Sequence, residues 1–353
     1  MEKRYFIILL FIFSISSSCS QQNAKKYTIR TIAFYNLENL FDTINDVSKN
    51  DEASPIMELK WNKSFVYNDK IEKLSSTIAK IGKEESKTSP AIIGVAEVEN
   101  TNVLRDLINS KHLKAFDYGI IHYDSPDKRG IDVALLYRKQ YFKPVFDEVY
   151  NPNIYSDNKK VYTRDQLLVS GYLDDEMVHI IVNHWPSRRG GSANSSPLRE
   201  KAAYQNLKII AKIRDKDKHA KIFIMGDFND DPTNKSFKEV LQTKHQKRTV
   251  KEFDLYNPYE NMFRRGFNTL VYRDNINLFD QILISGNLLD TGKKEYSSFK
   301  MYKANIFNKQ FLTHQKGKYK GYPFRSFSNG NYTGGYSDHY PVYMYIIKEK
   351  IMN

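Results

Sequence analysis

Five polar clusters spread along most of the chain combine carboxylates, amides and imidazoles: Asn36-Leu37-Glu38, Glu97, Asn183-His184, Asp227-Phe228-Asn229 and Ser337-Asp338-His339. Hydrolysis of a phosphate ester needs the phosphoryl oxygens neutralised, a water aligned opposite the leaving oxygen, and that oxygen stabilised as it departs. Such groups, converging on a hard cation, supply all three. Mg2+, and Mn2+ in its place, takes oxygen ligands and retains waters, so one or two carboxylates and an amide suffice. Beyond its first residues the chain has no cysteine-based or His-x-x-x-His zinc pattern.

Each cluster follows or precedes an apolar, β-prone run, which delivers it to a strand end, where loops on a rigid sheet carry chemistry. Glu97 ends Ala91-Ile92-Ile93-Gly94-Val95-Ala96 and is the first choice of metal ligand. Taken singly, Glu97, Asn36 and Glu38 would be ordinary loop charges or turn residues, and His184 an interior histidine. Gly226-Asp227-Phe228-Asn229 is sharper: glycine permits a tight exit from the strand, and alternation places Asp227 and Asn229 on one side. The alternative there is an Asx-type turn, better suited to Asp230 or Asp231. His339 precedes the last strand, and Asp280 starts Asp280 to Ile284, so an aspartate on a neighbouring strand can orient the imidazole. A Ser-His-Asp hydrolase is excluded because no serine sits in a Gly-x-Ser-x-Gly elbow.

The elements that must position these groups can be read from periodicity. Strands are expected at 28–35, 91–95, 118–122, 132–137, 166–173, 178–183, 221–225, 278–284 and 340–347, with a hairpin turn at Asp174-Asp175. Helices are expected over 69–81, 102–108 and 197–213, the last with Pro197 at its start. A Lys-, Tyr- and Gly-rich insertion separates the last two strands, from Thr291 to Tyr336. Strand-rich halves with few helices pack best as two sheets face to face with helices outside. Tyr 25 and Phe 21 against Trp 2 favour pleated, half-buried surfaces, and 41% hydrophobic residues exclude a disordered chain.

Lys3 and Arg4 precede an apolar run from Tyr5 to Ile15, and Ser16-Ser17-Ser18 lead to Cys19, the one cysteine. This is a secretory leader, and it resembles a bacterial lipoprotein signal with Cys19 as the lipidated residue. The expected organisation is a signal peptide at 1–18, a polar tether at 19–27 and one domain at 28–348. The run is too short to span a bilayer, so the domain is expected to be exported and tethered to a membrane at Cys19. With no second cysteine it has no internal disulfide. A net charge of +13 favours polyanions, although the positive charges are spread rather than blocked. No protein partner is expected, and the protein is read as a monomer.

Seven segments in order resemble the endonuclease/exonuclease/phosphatase superfamily: Phe34-Tyr35-Asn36-Leu37-Glu38-Asn39, Ala96-Glu97-Val98-Glu99-Asn100, Gly130 to Tyr137, Val182-Asn183-His184-Trp185-Pro186, Gly226-Asp227-Phe228-Asn229, Phe279-Asp280-Gln281-Ile282 and Ser337-Asp338-His339. The resemblance implies an α+β, four-layer αββα sandwich whose two central, mostly antiparallel sheets are flanked by helices. It also implies roles: Asn36 and Glu97 hold the divalent metal with Glu38 and Asp338 near it, and Asp227 orients the attacking water. Asn229 and His184 hold phosphate oxygens, and His339, paired with Asp280, supports the phosphate. The chain departs from the family in having Val-Ala-Glu-Val-Glu where many members have Leu-Gln-Glu, and in lacking the phosphate-contacting tyrosine of repair enzymes. Arg188 and Arg189, on a Gly-rich loop beside His184, are candidates for substrate phosphate. The function expected is metal-dependent hydrolysis of DNA or RNA. The alternatives are an inositol-phosphate phosphatase or sphingomyelinase of the same fold, and a non-catalytic lipoprotein that binds polyanions.

Overall fold

Strands in which nearly every residue is apolar must be covered on both faces, and this chain is built around such runs. The computed structural model describes residues 25–350 apart from 157, 291, 293 and 294. The leader, Cys19 and most of the tether lie outside the described residues. In chain order the principal strands are β1 (Tyr27–Leu40), β2 (Ile92–Val98), β3 (Tyr118–His122), β4 (Asp132–Arg138), β5 (Phe142–Tyr150), β6 (Gln166–Leu173), β7 (Glu176–His184), β8 (Ile222–Asp227), β9 (Leu255–Tyr256), β10 (Asp280–Ser285), β11 (Lys300–Ile306) and β12 (Val342–Glu349). They form two six-stranded sheets, ordered β11-β12-β1-β2-β4-β3 and β9-β10-β8-β7-β6-β5. Each sheet is antiparallel except for one central parallel pair, β1 with β2 and β7 with β8.

Alternation decides which face each side chain covers. Ile32 and Phe34 point between the sheets with Phe223, Met225, Ile282 and Met344, whereas Ala33 and Tyr35 point out to helices α1 (Lys63–Ile78) and α2 (Thr101–Asn109). Ile222 and Ile224 point out on the other side, to helix α3 (Ser192–Lys216) through Ala203, Ile209 and Ile213. The result is the four-layer αββα sandwich. Among the described residues no helix is long and apolar enough to cross a membrane.

The elements differ from expectation where packing overrides pattern. α3 begins five residues before Pro197, because its first turn is held by side chains: Ser195 Oγ donates to the Gly191 carbonyl (2.7 Å) and the buried Arg199 donates to the Ser192 carbonyl (3.1 Å). β5 and β11 have no counterpart among the expected strands. Both are half-exposed edge strands in which polar residues interrupt the apolar ones, and β5 carries Pro144, so neither shows a continuous apolar run. The 291–336 segment is therefore not simply an insertion, since it supplies β11, which pairs with β12. The Asp174-Asp175 turn has both residues at positive φ, the geometry a two-residue hairpin requires.

Gly226 has a reason other than a tight exit. It lies within β8 opposite Asn183 of the parallel strand, and a Cβ there would stand 2.3 Å from the Asn183 carbonyl oxygen. Backbone cannot retreat as a flexible side chain can. Gly226→Ala is therefore predicted to destabilise the fold by about 1–3 kcal/mol, read as a lower urea midpoint with unchanged denaturant dependence.

Candidate active site

Parallel neighbours end at the same sheet edge, so each sheet delivers two polar residues together. β1 and β2 present Asn36 and Glu97; β7 and β8 present His184 and Asp227. The sheets face each other, so these four meet. Asn36 Nδ2 donates to Glu97 Oε1 and to Asp227 Oδ2, each at 3.1 Å, and thereby joins one sheet to the other. His184 Nε2 lies 3.6 Å from Asp227 and 3.9 Å from Glu97.

Local backbone devices hold the donors. Asn36 Oδ1 accepts from Glu38 N (2.9 Å), and Asp227 Oδ1 accepts from Asn229 N (2.9 Å), with Glu38 and Asn229 both in the left-handed region. The side-chain turn considered for later aspartates thus forms at Asp227 itself, and this turn, rather than strand alternation, places Asn229 beside it. The residue between, Leu37 or Phe228, is fully buried and anchors each turn. Glu97 has φ of +60° at an irregularity between Ala96 and Val98, and its second oxygen accepts from Asn39 N (3.0 Å). A non-glycine residue in that region costs about 1–3 kcal/mol, here at the residue chosen first for metal.

The antiparallel neighbours add the histidine pair. Asp280 is in register with Asp227, and its carboxylate takes His339 Nδ1 at 2.7 Å. Ser337 Oγ donates to the Asn36 carbonyl (2.8 Å) and accepts from His339 N (3.1 Å), fixing this segment against β1. Burial opposes charge on His339, but Asp280 and Asp227 outweigh it and hold the imidazole well above its ordinary value. His184 goes the other way: burial, with the Arg164 and Arg129 guanidiniums, holds it well below. Burial pushes Asp227 up to about 7. One imidazolium, one neutral imidazole and a basic carboxylate therefore share a small space, the divergence of environments expected of an acid–base site.

The donor set fits a hard divalent cation. Ligand atoms of Glu97, His184 and Asp227 lie within 4.8 Å of one another, as do those of Asp227, Asp280 and His339. Two carboxylates converge on the neutral NH2 group of one amide, an excess of negative charge that a cation relieves. For Asn36 to ligate through oxygen, its amide must turn over from the orientation described, in which the oxygen faces Glu38 N.

Two expected placements are corrected. Glu38 does not join Glu97: its carboxylate turns away and accepts from Ser326 N (2.5 Å) and Phe327 N (3.3 Å), clamping the late segment to β1. Burial and Asp338 push Glu38 up to about 7, and burial pulls the adjoining Lys70 down to about 8. Arg188 is not a free phosphate binder. It donates to the Asn229 carbonyl (2.9 Å), Asp231 (3.0 Å), Asn234 (3.2 Å) and Asn277 (3.3 Å). Arg189 is exposed, and Asp338 is half-buried with Arg325 on its outer oxygen at 2.7 Å.

Lys70, Arg325, Arg164 and Arg129 escaped sequence reasoning. Lys70 carried a signal: it lies four residues from both Val66 and Leu74 on the inward stripe of α1, where a lysine needs a buried partner. Arg164 and Arg325 lie in irregular segments with no periodic signal.

Two facing mixed sheets with acids, an amide and imidazoles at one edge define a phosphoesterase scaffold. The model of the endonuclease/exonuclease/phosphatase family matches residues 31–348, and the chain belongs to that family. Solved structures share the fold at low identity. A humanised D. rerio TDP2 gives a TM-score of 0.54 at 13% identity, covering 90% of this chain and 99% of its own. A family protein from Bacteroides thetaiotaomicron gives 0.52 at 16%, covering 92% and 97%. A mannosyl-6-phosphatase from Bacteroides thetaiotaomicron gives 0.52 at 17%, covering 90% and 99%. No curated protein sequence matches the chain.

The two arginines separate by experiment. Arg188→Ala is predicted to destabilise the fold by about 1–3 kcal/mol through its orphaned partners and to lower kcat by displacing Asn229. Arg189→Ala is predicted to leave the melting temperature unchanged.

Proposed function

We propose that the protein is an exported, lipid-anchored, Mg2+- or Mn2+-dependent phosphodiesterase that cleaves DNA or RNA without a covalent enzyme intermediate. The observation that carries the chemistry is the meeting of Asn36, Glu97, His184 and Asp227 at one edge, backed by the Asp280–His339 pair. Asn36 and Glu97, with Asp338 beside them, would hold the ion, which when bound neutralises phosphoryl charge and stabilises the departing oxygen.

The chain's own residues do the rest. Asp227, made basic by burial and oriented by Asn229 N, takes a proton from the attacking water as its oxygen bonds to phosphorus and the bond to the leaving oxygen breaks. His339, kept protonated and aligned by Asp280, donates to a phosphoryl oxygen and offsets the charge that grows in the transition state. The Asn229 amide, pinned by its bond to the Trp185 carbonyl (3.0 Å), and neutral His184 hold the remaining oxygens.

Three features support nucleic acid: the net charge of +13, the basic surroundings of His184, and the existence of a D. rerio TDP2 structure with single-stranded DNA product on the same fold. The basic leader, apolar run and Cys19 support export and lipid anchoring.

The test is nicking of supercoiled plasmid and cleavage of RNA with Mg2+ or Mn2+, with chelator, and with His339→Ala. Metal-dependent cutting that chelator abolishes, and that the variant lowers about 100-fold or more, is the expected result. Intact plasmid and RNA alongside hydrolysis of sphingomyelin or a sugar phosphate would contradict the nuclease assignment.

A further inference from the structure

A cavity of about 440 Å³ opens at Pro186 and Ser187, just past His184 in the chain, between the segments around Lys128, Arg164 and Arg189. Its walls carry Lys128, Arg129, Lys160, Arg164 and Arg189 against one carboxylate, Asp127. That carboxylate is already engaged: Arg164 Nη1 lies 3.2 Å and Arg129 Nε 3.4 Å from it. Among the described residues no ion pair holds Lys128, Lys160 or Arg189, and the charge of Lys160 is felt at Asp165. The ring of Tyr162 has Lys128 at 5.3 Å and Lys160 at 5.8 Å, so the cations are gathered on one wall.

Arg164 makes this more than a basic surface. Its side chain is about 95% buried, yet its Nε–H finds no partner. A guanidinium is taken out of water at substantial cost, and an anion in the cavity that Arg164 lines would offset part of it. The same residue ties the cavity to the reacting centre. Arg164 Nη2 donates to the Trp185 carbonyl at 2.5 Å, and the Asn229 amide donates to that same oxygen at 3.0 Å. A group held by Arg164 is therefore one carbonyl away from the residue assigned to the scissile phosphate.

We infer that this cavity is a second anion subsite, holding the phosphate next to the scissile one along a nucleic-acid strand. The inference rests on the nuclease reading above. It gives the enzyme a preference for a phosphodiester flanked by another phosphate over an isolated one, because Lys128, Lys160 and Arg189 attract the flanking charge while Arg164 adds a buried positive charge behind them.

The experiment uses the full-length protein in detergent and the variant Lys128→Ala/Lys160→Ala/Arg189→Ala. The control is Lys114→Ala/Lys208→Ala/Lys303→Ala, equal in charge and exposed elsewhere. Binding of fluorescein-labelled octathymidylate is measured in EDTA across a salt series. The cavity variant is expected to bind about tenfold more weakly, with a salt dependence shallower by about 0.7 for each phosphate left without its cation, while the control stays near wild type. With metal, KM for thymidylyl-thymidine carrying a 5′- or 3′-terminal phosphate should fall below that for the unphosphorylated dinucleotide, and the cavity variant should remove the difference.

Equal weakening in both triple variants, or none in the cavity variant, would overturn the subsite and leave the nuclease reading intact. A wild type that binds the octamer through these residues yet cuts neither DNA nor RNA would overturn the nuclease reading and leave an anion subsite.

Discussion

The amide of Asn36 is the point on which the site depends. It reaches from β1 to Glu97 on its own sheet and to Asp227 on the facing one, so two layers packed through hydrophobic side chains are also fixed to each other at their polar edge. Dispersion and burial hold the sheets together but do not set their relative position to a fraction of an ångström. A short bridge between carboxylates does, and it does so where catalysis needs it.

The two sheets solve the same local problem in the same way. In each, a parallel pair ends in a side-chain turn: Asn36 accepts from Glu38 N, Asp227 accepts from Asn229 N, and the buried residue between locks the turn into the core. The antiparallel partner on the far side then contributes again, through Asp280 to Asp227 and through Ser337 to Asn36. Charge is thereby arranged rather than merely concentrated. Burial makes Asp227 basic, paired carboxylates keep His339 protonated, and burial with the nearby guanidiniums keeps His184 neutral.

Much of this was legible in the sequence, and the reasons are physical. Strands buried on both faces announce themselves as apolar runs, so β1, β2, β4, β7, β8 and β12 and the polar residues at their ends could be located. The Asp280–His339 contact followed from the two residues flanking strands. Edge strands β5 and β11 stayed hidden because half-exposed strands have no such run. The purposes of Arg188 and Glu38 stayed hidden too, since both depend on segments distant in the chain: Asp231, Asn234 and Asn277 for the first, and the Ser326 backbone for the second. A charge beside a catalytic cluster looks the same in sequence whether it faces substrate or braces a loop.

The central claim is that this edge binds a divalent ion through Glu97 and its neighbours. The most direct measurement is calorimetric titration of the protein with Mn2+, beside Glu97→Gln, with circular dichroism to verify that both are folded. A saturable binding event in the wild type that disappears or weakens about 10-fold or more in the variant is the result this account predicts. Equal Mn2+ binding by both proteins, or none by the wild type, would contradict it.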